Sequence, residues 1–238
     1  VKTLVILATY NERENIEPLA AEILASPIAA DLLVVDDDSP DGTGEAADRL
    51  AAANARVCVI HRTGKRGLGS ASILGLQFAI DRGYDFAIVM DADFSHHPRY
   101  LPDLVGGMDR FDVTIGSRYV AGGGVVNWPV ARRLMSGTAN SAARLCLGLR
   151  VRDCTGSFRC YRLAKMKTAL LDRMVSTGYC YLEEILYRCQ SEAGMKLGEV
   201  PIVFEERRRG RSKISSKEIL AGVWLIARLA LARLAGRG

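Results

Sequence analysis

None of the six cysteines stands in a Cys-x-x-Cys pair, and the three histidines are not spaced with them as ligands. That excludes a structural zinc site and a thioredoxin-type redox pair, and the expectation is reduced thiols in a cytosolic setting. Aromatic residues are scarce, at 7%. The basic C-terminal segment holds only Trp224 among its tryptophans and tyrosines, too little for stacking bases, so no nucleic-acid partner is expected. No Gly-x-Gly-x-x-Gly follows the first apolar run; the turn there reads "ATYNERE". A nicotinamide enzyme needs that glycine fingerprint, and "GKRGLGSASILG" (64–75) has the wrong place and spacing. "VKTLVILATYNE" turns polar too soon for a signal peptide. Near the C-terminus an apolar run from Ile219 to Ala227 is extended by 229–232 but interrupted by Arg228 and Arg233. It falls short of the roughly 20 apolar residues that cross a bilayer.

What is present is the composition of an ordinary globular chain, 49% hydrophobic and 25% charged over 238 residues. The net charge of +5 is unevenly distributed. Residues 201–238 hold nine Lys/Arg against three Asp/Glu, a local +6, and the remainder is close to neutral. A basic end of this kind points to an anionic partner, either phosphate or a membrane surface.

Short runs rich in β-branched residues occur at 3–8, 31–37, 55–61, 85–91 and 112–117. Between them lie helical patterns at 12–25, 41–54, 69–82 and 98–110. This alternation predicts βαβ units and an α/β fold with an open, mostly parallel sheet covered by helices on both faces. Beyond it, the glycines of "VAGGGVVNW" (120–128) predict a flexible loop. Helices are expected at 129–148, 163–174, 180–193 and 215–235, and strands at 156–162 and 198–205. No internal repeat is visible.

Ligands of open α/β sheets bind beyond the carboxyl ends of the strands. Three polar motifs fall there: "ATYNERE" after the first strand, "VVDDDSPDGT" after the second and "MDADFSHHP" after the fourth. Asp41 has a competing reading as a helix cap. Asp37, separated from the next helix by Ser39 and Pro40, fits that reading poorly and suits a nucleoside. Asp91 and Asp93 are two residues apart, so in extended chain they share a face and repel unless a cation lies between them. Hard divalent ions take such carboxylates and keep positions for diphosphate oxygens. His96 and His97 read as helix entry and local packing, with ligand contact as the alternative. Glu183 and Glu184 are adjacent in a helix, so one is expected to face the site and the other solvent.

Taken in order, "ATYNERENI", "VVDDDSPDGT", "GKRGLGSA", "MDADFSHHP", "IGSRYV", "DCTGSFRCYR", "YLEEILYR" and "RRRGRSK" resemble the family 2 glycosyltransferases. Within them the dolichol-phosphate mannose synthases and bacterial polyprenol-phosphate enzymes are the most similar group. The resemblance implies a GT-A fold over 1–214 followed by an amphipathic, interfacial helix at 215–238. It implies a nucleotide-sugar donor, with GDP-mannose expected, a polyprenyl or dolichyl phosphate acceptor, and Mg2+ or Mn2+. On the donor side it implies Ala8, Tyr10, Glu12, Val35, Asp37, Lys65, Ala92, Arg207 and Lys213, with Arg66 and Ser212 nearby. Asp91 and Asp93 match the metal ligands, and Ser95 stands where some relatives carry glutamine. Arg118, Arg132 and Ser136 match the acceptor-phosphate region, and Asp91, Asp93 and Arg118 are the expected catalytic groups. One departure is Ala8, where the family usually has proline before "TYNE". The implied placement is peripheral, on the cytoplasmic face of a membrane, with a membrane-protein partner or a homo-oligomer left open. UDP-glucose as donor, a non-lipid acceptor and a non-catalytic nucleotide-binding module remain as alternatives at this point.

Overall fold

The computed structural model describes residues 1–166, 168–205 and 216–234. Its centre is a seven-stranded sheet. The first five strands are β1 (Thr3–Thr9), β2 (Asp31–Asp36), β3 (Val57–His61), β4 (Phe86–Asp91) and β5 (Val113–Ser117). Two-residue β6 (Gly124–Val125) follows, then β7 (Arg159–Arg162), β8 (Leu197–Pro201) and β9 (Val203–Phe204). The sheet order is β3-β2-β1-β4-β7-β5-β8, and β6 pairs with β9 in a separate ribbon. Pairing in the large sheet is parallel except at β7, which runs antiparallel between β4 and β5.

Strands buried on both faces need apolar residues at every position. Leu4 to Leu7 meet that need, all fully buried. Leu4 and Ile6 point into one core with Leu33, Val35, Ala71 and Leu76. Val5 and Leu7 point into the other, with Leu32, Val34, Ile16, Leu19 and Leu101. Helices α1 (Arg13–Leu24), α2 (Thr43–Ala53) and α4 (Leu101–Gly107) cover this second face. The first face is covered by α3 (Leu68–Asp81), α5 (Val130–Leu147), α6 (Thr168–Asp172), α7 (Tyr181–Tyr187) and α8 (Ser216–Leu234).

Several elements differ from the sequence reading. The stretch 120–128 is pinned, because β6 pairs with β9 and Trp128 is buried. The expected strand 198–205 is divided at Ile202, whose side chain turns into the core. The expected helix 163–174 shortens to α6. The helix expected over 98–110 opens with a 3-10 turn at Pro98–Tyr100. Helix α8 packs on α5 and α7, and its Leu225 and Leu229 enter the first core. Its Val223, Trp224 and Leu231 face outward. Among the described residues no helix is long and apolar enough to cross a membrane.

Candidate active site

A cleft opens at the carboxyl ends of β1, β2 and β4. It is lined by Ala8, Tyr10, Glu12, Asp37, Lys65, Asp91, Ala92 and Asp93, together with Thr9, Gly67, Leu68, Ala71 and Tyr179. Nearly all the expected donor-side residues therefore converge. Val35 does not line the cleft; its side chain is fully buried in the core. Arg207, Ser212 and Lys213 lie outside the described residues.

The glycine-free first turn works because Asn11 takes the left-handed conformation, with φ 58°, which asparagine tolerates better than most residues. The turn leads into α1, and the Glu12 amide donates to Thr43 Oγ1 at 2.9 Å. Across the cleft mouth the Lys65 ammonium sits 4.3 Å from the centre of the Tyr10 ring.

Asp37 has a more structural environment than expected. One oxygen accepts from Arg62 Nε at 2.5 Å, and the other accepts from the amides of Arg66 and Gly67, each at 3.0 Å. Asp37 thus caps neither the next helix in sequence nor α3; it braces the turn at Arg66 and Gly67 that leads into α3. Gly67 is required at this point: its φ is +92°, and a Cβ there would meet the Thr177 carbonyl oxygen at 2.9 Å. Asp41 follows the capping reading, with Oδ1 accepting from the Thr43 amide at 3.0 Å.

Strand β4 ends at Asp91, and the chain turns at once, with Phe94 at φ 64°. Asp91 and Asp93 therefore reach one cleft through a turn and not by alternating along an extended strand. Asp91 Oδ1 accepts from Ser157 Oγ at 2.7 Å. Asp93 Oδ1 accepts from Ser95 Oγ at 2.5 Å and from the Ser95 amide at 3.0 Å, so Ser95 supports Asp93 directly. Among the described residues no cluster of three or more His, Cys, Asp or Glu is placed to cage a metal. Two hard carboxylates in an open cleft fit Mg2+ or Mn2+, which fill their remaining positions with water and phosphate oxygens.

His96 is buried beneath this turn and stacks on Phe158 with ring centres 5.0 Å apart. Its Nδ1 accepts from the Asp91 amide at 3.1 Å. Burial lowers its pKa first of all; the charges of Asp91 and Asp93 pull it upward and Arg118 pushes it down. The ring is a neutral support for the turn. His97 Nδ1 accepts from the Arg99 amide at 3.2 Å and caps the 3-10 turn. Both histidines follow the packing reading.

Arg118 lies just beyond the end of β5, and its side chain is 7% exposed. Its Nε and an Nη hold the two oxygens of fully buried Asp153 at 2.7 and 2.6 Å, and that Nη also donates to Thr155 Oγ1 at 2.8 Å. Asp153 holds the guanidinium charged and pushes its pKa further up against the cost of burial. Rings of Tyr119, Trp128 and Phe204 surround it at 5.4, 5.5 and 5.6 Å. Arg132 also lies against Trp128, 4.2 Å from the ring centre. Ser136, one turn further along α5, accepts from Tyr119 Oη at 2.7 Å. Arg118, Arg132 and Ser136 thus form one neighbourhood around Tyr119 and Trp128. Around it, α5 exposes Val130, Leu134 and Met135.

The expectation of one solvated glutamate in α7 is corrected. Glu184 is fully buried and holds Arg188 at 2.7 Å and the Ser176 amide at 2.9 Å. Glu183 has a buried Oε2 with no hydrogen-bond partner among the described residues, and burial pushes its pKa up to about 7. Sequence reasoning assigned no role to Arg62, Asp153, Thr155, Ser157 or Tyr179. "DCTGSFR" carried a signal as a motif, but nothing local indicated which residues its side chains meet.

The glycosyl transferase family 2 model matches residues 4–169. A polyprenol monophosphomannose synthase of Mycolicibacterium smegmatis is 43% identical over 95% of this chain and 86% of its own. An undecaprenyl-phosphate mannosyltransferase of Micrococcus luteus is 40% identical over 98% of this chain and 95% of its own. Among solved structures, the mannosyl-3-phosphoglycerate synthase of Rubrobacter xylanophilus superposes with a TM-score of 0.69 at 17% identity. That match covers 100% of this chain and 76% of the other. A Pyrobaculum calidifontis mannosyltransferase in complex with GDP-Man and Mn2+ gives 0.55 at 18% identity, covering 100% and 76%.

Proposed function

This chain belongs to glycosyl transferase family 2, and we propose that it transfers mannose from GDP-mannose to a polyprenyl monophosphate. The observation that carries this reading is the sheet edge where Asp91 and Asp93 face the cleft and Arg118, with Arg132 beyond it, stands beside them. A carboxylate pair for a donor complex and cations for a second phosphate are the two halves such a transfer needs. The names of the two relatives, both polyprenyl-phosphate mannose enzymes, support the choice of sugar and acceptor.

Asp91 and Asp93 would hold a divalent ion, which when bound neutralises charge on the leaving diphosphate. The Mn2+ and GDP-Man of the Pyrobaculum enzyme support this. Tyr10, Glu12, Asp37, Lys65 and the backbone at Ala8 and Ala92 form the nucleotide side. An oxygen of the acceptor phosphate attacks the anomeric carbon as the bond to the diphosphate oxygen breaks, with inversion, and GDP departs. The attacking phosphate is already ionised near neutral pH, so no side chain must take a proton. Arg118 and Arg132 would offset repulsion between the two anionic substrates through their positive charge, the Nε and one Nη of Arg118 being committed to Asp153 and Thr155. Catalysis then rests on orientation and fixed charge.

On this reading the outward faces of α5 and α8 rest on the cytoplasmic surface of a membrane, where the lipid acceptor resides. Val130, Leu134, Met135, Val223, Trp224 and Leu231 are the apolar contacts, with residues 1–214 as the transferase domain. The test is to incubate the purified chain, Mn2+ and polyprenyl phosphate with a panel of labelled sugar nucleotides. Mannose label from GDP-mannose should enter the lipid phase. Label from UDP-glucose alone, or transfer only to water-soluble acceptors, would overturn the reading.

A further inference from the structure

We propose that Asp153–Ser157 is a positioning segment that sets the two substrates against each other, Asp153 and Thr155 orienting Arg118 and Ser157 orienting Asp91. This rests on the function proposed above. The segment touches both halves of the site at once. At one end Asp153 accepts from Arg118 through Nε, Nη and the backbone amide, the last at 3.0 Å, and Thr155 accepts from the same guanidinium. At the other end the Ser157 hydroxyl donates to one oxygen of Asp91 at 2.7 Å. Between the two grips the Gly156 amide donates to Asp153 Oδ1 at 3.0 Å and closes the segment on itself.

The segment is in turn held from two directions. Glu199 on β8 accepts the amides of Arg152 and Asp153, each at 2.9 Å. Asn140 on α5 accepts the amides of Cys154 and Thr155 at 2.6 and 3.2 Å, and its Nδ2 donates to Thr155 Oγ1 at 3.0 Å. Asp153 is fully buried. A buried ion pair contributes little net stability, because desolvation offsets its attraction. Orientation is the stronger reason for it. Holding reacting groups in register can supply several kcal/mol of a barrier, and small displacements forfeit it.

The two grips predict opposite kinetic signatures. Ser157→Ala should weaken Mn2+-dependent GDP-mannose binding, measured by calorimetry without lipid, by about tenfold. It should leave saturation by polyprenyl phosphate nearly unchanged, and Ser157→Thr should restore binding. Asp153→Asn should leave the calorimetric affinity unchanged while raising KM for polyprenyl phosphate or lowering kcat by about tenfold or more. Thr155→Val should move the same way by less, and it carries this arm if Asp153→Asn does not fold. Equal loss of donor binding and lipid saturation in both sets would overturn the proposal and leave the segment a structural strut. If the wild type binds GDP-mannose with Mn2+ but labels no lipid, the proposed acceptor is wrong. The Ser157 calorimetry still decides its half.

Discussion

Arg62 and Asp37 form an ion pair inside the wall of the cleft, each side chain only 6% exposed. Arg62 also donates to Ser70 Oγ at 2.8 Å and to the Gly67 carbonyl at 3.2 Å. The pair therefore ties the end of β2 to the start of α3, the two elements that frame the nucleotide side. Asp37→Ala leaves a buried guanidinium and two amides without their acceptor. Unfolding should become easier by about 3 kcal/mol, read from urea denaturation, and nucleotide affinity should fall with it.

Asp91 accepts from Ser157, and Asp93 accepts from Ser95 two residues on. Asp93→Ala should abolish transfer while leaving a cooperative thermal transition. Excess chelator should abolish activity, and added Mn2+ or Mg2+ should restore it. Full activity in chelator would remove the metal from the mechanism.

If Arg132 holds the acceptor phosphate, as proposed above, it separates acceptor from donor binding. Arg132→Ala should raise KM for polyprenyl phosphate severalfold and leave GDP-mannose affinity unchanged in calorimetry without lipid. A loss of nucleotide binding with normal lipid saturation would reassign it to the donor.

Glu183 makes stability depend on pH. Its carboxyl titrates near 7 in the folded chain and near 4.5 when unfolded. Between those values the unfolded state releases the proton and the folded state keeps it, so stability falls as pH rises, and the loss is complete above about pH 7. Arg159 partly offsets the burial and Asp153 adds to it. The midpoint of Glu183→Gln minus that of wild type should grow by a few degrees from pH 5 to pH 7.5. A pH-independent difference would mean that Glu183 is hydrated.

The two faces of α8 should respond differently. Leu225→Ala should cost about 2–4 kcal/mol, as for a core leucine. Trp224→Ser should leave stability near wild type and weaken binding to anionic vesicles in a sedimentation assay. Unchanged vesicle binding would remove α8 from the membrane contact.

The alternating half of the fold was legible because each element is encoded locally. Val34–Val35 and Ile88–Val89 announce parallel strands, and polar turns mark their ends. What stayed hidden was pairing at a distance. "GSFRCYR" reads as a strand, but its composition does not say that β7 runs backward between β4 and β5. Asp37 was legible as a cleft residue, while its partner Arg62 lies 25 positions away. Arg118 was expected in the acceptor-phosphate region from its motif, while its partner Asp153 lies 35 positions away. The face shared by Asp91 and Asp93 was argued from an extended strand, but β4 ends at Asp91 and the chain bends from Ala92 onward.

The reversed strand also places a condition on assembly. β4 and β5 do not pair with each other; both wait for β7. A growing chain can close the β3-β2-β1-β4 layer and its nucleotide wall from the first 91 residues or so. Until residue 162 emerges, β4 keeps one edge of open amides and carbonyls, the kind of edge that recruits foreign strands. β5, with Arg118 at its tip, has no place in the sheet over that interval. On the proposed reading, β7 is the strand that joins the half holding the donor to the half holding the acceptor.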